Sequence, residues 1–356
     1  MAARLRVLGN LDCEARWSQL TLPRRVLDHI SAAATLLRFL FDEPIALWTP
    51  SPVDPGRLPA LDGAQALELH HGPIWTQADA AWGAFRDGAP PAARDRRGLT
   101  VPARLSVAKA VNDRRFLAAL AQRLEVAPPG MRAVTSLDEL RQHLAQGGAA
   151  ASPTAQWICK APLTAAGRDR VLGAGVTLSG ELERALARLL QRFSALLFEP
   201  WLARILDLGV CATVGPGGEV VQRPPHTLLT TARGGFLGIA TTPPPLDLTQ
   251  RAQLDKTVAA VGQALHAAGY VGPFAVDAFL HRAANGQALL HPLCEINGRL
   301  SFGWIAAVLS ERFGTRELRF SAPPPGAMVL VAPGAPTEPA GQAAAGGEQA
   351  VAAWIR

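Results

Sequence analysis

The sequence predicts an α/β fold: a small Rossmann-like lobe followed by two units of mixed helix and strand. Three observations support this. Short apolar runs alternate with a helical segment in the first seventy residues, as a parallel βαβ arrangement requires. Amphipathic helical segments then alternate with strand-like runs through the middle of the chain. Near the end, two strand-like runs flank Asn285-Gly286, the signal of an antiparallel hairpin.

In the first lobe, residues 5–9 (LRVLG) read as a strand and residues 29–41 as a helix with one apolar face. Residues 44–50 (PIALWTP) and 66–70 (ALELH) supply two further strands. Gly9 follows the first strand alone, without the G-x-G-x-x-G run of a dinucleotide-binding turn, so this lobe is read as packing against and shaping a cleft. His70 and His71 are adjacent and face opposite ways on a strand, which argues against joint ligation. Residues 87–97 carry prolines and arginines and read as a linker or exposed loop.

Farther along, Asn112 or Asp113 caps a helix whose Leu117, Leu120 and Leu124 form one stripe, and Pro128-Pro129 end the segment. Ser136 with Glu139 is a capping-box signature for a short helix reaching residue 146. After a small-residue loop at 147–154, QWICKAP is a strand ending at Lys160. Residues 181–193 form an amphipathic helix that leads into the strand ALLFEPWL, and residues 211–223 a hairpin turning at GPGG. From residue 321 the chain is rich in Pro, Ala and Gly before a short apolar end, VAAWIR, which is either disordered or docked back on the body.

Composition narrows the function. A chain of 356 residues that is 49% hydrophobic can bury two or three cores. No apolar run approaches the ~20 residues of a membrane span, and the first residues lack a signal peptide's apolar segment, so a cytoplasmic protein without a membrane partner is expected. Cys13, Cys159, Cys211 and Cys294 are far apart, which suggests neither a zinc site nor a disulfide framework. The net charge of +6 comes from arginines scattered among acids and prolines, without a basic run interleaved with aromatics, so no nucleic-acid partner is expected. The charge also suits a binder of polyphosphates.

The chemistry concentrates in VDAF (276–279) and LLHPLCEINGRLSFG (289–303). Glu295 and Asn297 share one strand face, Asp277 sits among apolar neighbours on the preceding strand, and Arg299 follows one alternation on. Hard oxygen donors that converge on a hairpin suit Mg²⁺ carrying nucleotide phosphates. A strict two-residue turn at Asn285-Gly286 pairs Asp277 with Cys294 and sends Glu295 to the other face; a one-residue bulge or a three-residue loop restores the register.

In this pattern the chain resembles the ATP-grasp superfamily, whose late hairpin carries an acidic residue on one strand and E-x-N-x-R on the next, here Asp277 and Glu295 to Arg299. Further elements that resemble the family precede it in the family's order, so the resemblance runs from about residue 105 to 313. Asn112-Asp113-Arg114 resembles its G/N-D-K element, with Arg114 in place of the phosphate-binding lysine. Lys160 resembles its strand-terminal lysine, followed by a glycine-poor small-residue loop with Arg168. Glu199-Pro200-Trp201-Leu202 resembles its hinge, where backbone at Trp201 and Leu202 would meet adenine, and Asp207 its ribose contact, with a salt bridge to Arg204 as the alternative.

The resemblance implies a Rossmann-like domain at 1–104, ATP-grasp subdomains at 105–198 and 199–321, and a tail at 322–356. It implies ATP and Mg²⁺, or Mn²⁺ in its place, with Asp277, Glu295 and Asn297 as metal ligands and Arg299 and Lys160 as catalytic cations. It further implies a ligase that joins a small-molecule carboxylate to an amine through an acyl phosphate, releasing ADP and phosphate. A phosphotransferase and a non-catalytic nucleotide-binding protein are the alternatives, and a homodimer is compatible with all three. His226, Arg233 and the segment Gly234-Gly235-Phe236 lie between the hinge and the metal hairpin, where family members often contact the acceptor, yet they equally fit a β-turn.

Overall fold

The computed structural model describes residues 4–61, 64–85, 104–147, 155–164, 169–231, 234–333 and 352–356. The N-terminal lobe is a parallel sheet built from β1 (Leu5–Leu8), β2 (Ile45–Trp48), β3 (Leu67–His70) and β4 (Ala80–Ala81), in the order β3-β2-β1-β4. Parallel strands need a crossover, and it is supplied by α1 (Cys13–Trp17), α2 (Arg24–Ala34) and a 3₁₀ turn at Thr35–Phe39. The helix thus starts five residues before the expected 29 and tightens at its end, because the apolar periodicity marks only its buried half, Ser31 to Ala34.

A second sheet, antiparallel, contains β5 (Arg132–Val134), β6 (Gln156–Lys160), β7 (Arg170–Ala174) and β8 (Leu196–Pro200) in the order β5-β8-β6-β7. Before it come α3 (Leu105–Asn112), which the periodicity did not reveal, and α4 (Arg114–Arg123), capped by Asp113, whose side chain accepts from Arg115 N. α5 (Leu137–Ala145) and α6 (Gly180–Phe193) cover one side of this sheet, where Leu140, Leu144 and Leu186 share a core with Trp157 and Phe198. Ser136 caps α5 as expected, but the capping box is not closed: Glu139 reaches past Ser136 to the N–H and hydroxyl of Thr135.

The third sheet has nine strands among the described residues. They are β9 (Ala203–Val214), β10 (Val220–Gln222), β11 (His226–Thr230), β12 (Phe236–Ala240), β13 (Gly272–Arg282), β14 (Ala288–Asn297), β15 (Glu317–Arg319), β16 (Met328–Val331) and β17 (Ala353–Ile355). The order is β14-β13-β9-β11-β12-β15-β17-β16, with β10 on β9. α7 (Leu248–Ala267) packs on β9, β10 and β14, burying Leu254, Val258, Val261 and Leu265. The apolar end of the chain is docked: β17 bridges β15 and β16, and Trp354 and Ile355 are buried.

α8 (Phe302–Phe313) joins the halves of the molecule. Trp304, Ile305 and Leu309 share one core with Leu36, Leu37 and Phe39 of the N-terminal lobe and with Leu330 and Ile355 of the last strands. Trp304 is therefore core, as expected, and the N-terminal lobe is anchored directly beside the segment that follows β14. Among the described residues, no helix is long and apolar enough to cross a membrane. All four cysteines are free, three of them buried.

Candidate active site

Lys160 and Glu199 are brought together by strand register. β6 pairs Ile158 with Glu199 and Lys160 with Leu197, which makes Lys160 and Glu199 diagonal neighbours on one face. The Lys160 ammonium donates to the Glu199 carboxylate, and both side chains are largely buried. Lys160 is thus a held cation rather than a solvated one. The hinge needs a correction: Trp201 N–H already donates to Gln156 O at 2.8 Å, so it is spent on the sheet instead of facing a purine edge. Leu202 follows it, partly exposed, between β8 and β9. Asp207 forms the alternative salt bridge, to Arg204 at 2.8 Å, and its second oxygen accepts from Thr230 Oγ1 at 2.9 Å.

Arg114 opens α4 and crosses to both neighbouring elements. Its guanidinium donates to Ala161 O at 2.6 Å, to Thr164 Oγ1 and O at 3.1 and 3.0 Å, and to Glu295 Oε1 at 2.6 Å. Its backbone N–H donates to Pro162 O. The planar fork of arginine suits this multiple contact, which the single ammonium of a lysine could not make. Arg114 therefore fastens the segment after Lys160 to β14. Arg168 lies outside the described residues, as does Arg233.

The hairpin resolves the register question. The Asn285-Gly286 turn is not a two-residue turn: Arg282 pairs with Ala288, leaving a five-residue loop. The register then shifts between Phe279↔His291 and Asp277↔Glu295, so β14 carries two extra residues in a bulge. Asp277 and Glu295 end up directly opposite on one face, with Asn297 one alternation along, opposite Ala275. Burial, together with the facing Glu295 carboxylate, pushes Asp277 up to about 7. Asn297 Nδ2 donates to Asp277 Oδ2 at 3.4 Å.

These residues fit a divalent cation. Two facing carboxylates whose repulsion already raises one of them, with a neighbouring amide oxygen, form a hard-oxygen set that a cation would relieve. Among the described residues, no group of three or more His, Cys, Asp or Glu side chains converges, so the set consists of two carboxylates and an amide.

Arg299 is held from the N-terminal lobe. Its Nε donates to the buried Glu14 carboxylate, its Nη1 to Leu300 O at 2.9 Å, and its guanidinium lies over Trp82 at 5.7 Å. Nη2 has no hydrogen-bond partner among the described residues. Burial alone would raise the Glu14 carboxyl and lower the Arg299 guanidinium, but each charge reverses that for the other, so both stay ionised. Glu14 was not singled out from sequence. Its signal was an acid flanked by the small apolar Cys13 and Ala15 in the short helix after β1.

His226 is buried, with its ring wedged between Gly209 and Gly303, where an added Cβ would collide with it. Burial lowers it to about 4, so it is a neutral packing group.

No family model matches the chain, and no curated protein matches it in sequence. Solved structures do match. N5-carboxyaminoimidazole ribonucleotide synthetase from Thermus thermophilus aligns over 99% of this chain and 93% of its own, at 16% identity and a TM-score of 0.54. The biotin carboxylase domain of Hydrogenobacter thermophilus 2-oxoglutarate carboxylase, a dimer in complex with MgADP, ADP and bicarbonate, aligns over 99% and 86%, at 12% identity and a TM-score of 0.55. Campylobacter jejuni biotin carboxylase, in a β,γ-ATP complex, aligns over 87% and 68%, at 14% identity and a TM-score of 0.54. At such identities the likeness is one of fold alone: the chain has the ATP-grasp fold.

Proposed function

We propose that the protein is an ATP-dependent carboxylate-amine ligase. The observation that carries this reading is the placement of Asp277 directly opposite Glu295, with Asn297 on the same strand and Arg299 just beyond it. ATP would lie between the second and third sheets, its phosphates drawing Lys160 away from Glu199. A divalent cation held by Asp277, Glu295 and Asn297 would neutralise phosphate charge when bound. The chain's own residues then position the partners: Lys160 meets phosphate oxygens, Arg114 holds the segment after β6 in place, and Nη2 of Arg299 steadies a substrate carboxylate for in-line attack on the γ-phosphate. An amine displaces phosphate from the acyl phosphate and forms the amide.

The test is a product analysis. With Mg-ATP, a panel of carboxylates and a panel of amines, the reading expects ADP and phosphate, with full turnover only when both substrates are present. Hydroxylamine in place of the amine should trap an acyl hydroxamate. AMP and pyrophosphate as products would overturn the reading, and ADP with a stable phosphorylated product would replace it with a phosphotransferase.

A further inference from the structure

The wall beside Arg299 is aromatic, and one of its rings is left open. Trp82, over which Arg299 lies, meets Phe302 at 4.9 Å; Phe302 meets Phe320 at 4.6 Å; and Phe236 stacks on Phe302 at 5.8 Å with an interplanar angle of 15°. Phe236 also contacts Phe320 at 5.6 Å, yet it remains 42% exposed. A single exposed apolar side chain is ordinary; an exposed ring that ends a continuous aromatic row starting at an arginine is not.

Phe236 follows a turn that comes near β7. The turn before it is held by Thr231, whose hydroxyl accepts from Gly235 N at 2.9 Å and whose carbonyl accepts from Gly234 N at 2.8 Å. Gly234, at φ 75°, brings the turn so near β7 that a Cβ there would sit 3.9 Å from Arg170 Nη1. The open ring thus ends the aromatic row two residues after the point where this turn meets the Arg170 side chain of β7.

We infer that the carboxylate substrate carries a flat apolar body, aromatic or similar, which stacks on Phe236 and Phe302 while its carboxylate meets Nη2 of Arg299. The inference rests on the ligase reading, because it names the substrate class of that site. Charge and shape both enter: the arginine selects the anion, and the rings select a planar, apolar group over a short aliphatic one.

The probes are phenylacetate, acetate and phenylacetamide, titrated into the full chain without nucleotide by calorimetry and saturation-transfer NMR. Phenylacetate should bind at least about tenfold more tightly than either acetate or the neutral amide. Phe236→Ser, at an exposed position, should remove most of that preference and leave Mg-ATP affinity unchanged, and Phe236→Leu should retain part of it. Equal binding of acetate and phenylacetate would overturn the inference. So would unchanged phenylacetate affinity in Phe236→Ser, including a case in which that variant changes only the oligomeric state. ADP release confined to short aliphatic acids would sink the inference and keep the ligase reading. Phenylacetate binding as expected, with no ADP from any carboxylate and amine, would do the reverse.

Discussion

Arg114 and Glu295 are 181 residues apart in the chain and meet at 2.6 Å, joining the first turn of α4 to the strand that faces Asp277. This arginine does two things at once. It neutralises one of two facing carboxylates, and it holds the Lys160 loop through Ala161 and Thr164.

Arg114→Met should therefore remove the arginine bonded to Glu295, leaving only the more distant Arg299 to offset the two facing carboxylates, and free the segment after Lys160. The expected loss of stability is about 1.5–3 kcal/mol, the range for a charged hydrogen bond, because a third of the Glu295 side chain remains exposed. Urea unfolding with and without Mg²⁺ checks this: Mg²⁺ should recover more stability in the variant than in the parent. A variant as stable as the parent would mean that Arg114 is not the counter-ion of the site.

Lys160→Ala should weaken Mg-ATP binding by about tenfold to a hundredfold, the worth of a charge-assisted contact. Lys256→Ala, on the exposed side of α7, should change it little. Glu199→Gln should release Lys160 and move affinity the other way or leave it unchanged. Calorimetric titration of all three decides the assignment, which fails if the two lysine variants bind alike.

His226 predicts a pH dependence. Burial lowers it to about 4, whereas in the unfolded chain it takes up its proton near 6.5. Its contribution to stability is thus complete above about pH 6.5 and lost as the pH falls towards 4, because the unfolded state binds the proton first. Asp277 acts in the opposite sense over the same range, since its raised carboxyl favours the folded state at low pH. Comparing the parent with His226→Gln isolates the histidine: the slope of stability against pH between 6.5 and 4 should fall by up to one proton. An unchanged slope would show that the ring is not buried in neutral form.

The docked end is testable by packing alone. Ile355 is 1% exposed and pairs with both Leu318 and Met328. Ile355→Ala should cost about 2–5 kcal/mol, the range for truncating a buried aliphatic side chain. A cost near zero in urea unfolding would place the last strand outside the cooperative core.

Local pattern was enough to read the first three strands of the N-terminal lobe, α4, α6 and the strand ending at Lys160, because alternation, apolar stripes and caps such as Asp113 and Ser136 act within a few residues. The same local chemistry put Asp277, Glu295, Asn297 and Arg299 on one hairpin. It could not supply the register, since a two-residue bulge in β14 depends on how each strand packs against its neighbours rather than on the turn itself. Nor could it supply the partners of the charges. Glu14 with Arg299, Arg114 with Glu295 and Lys160 with Glu199 are pairings between distant segments, chosen because a buried charge must find its opposite wherever the fold brings one. Residue types and periodicity, acting over a turn of helix or a few strand positions, set the elements and the candidate chemistry. Which groups meet was left to the packing of α8 and the first lobe against the large sheet, because that contact exists only once the whole chain has closed on its core.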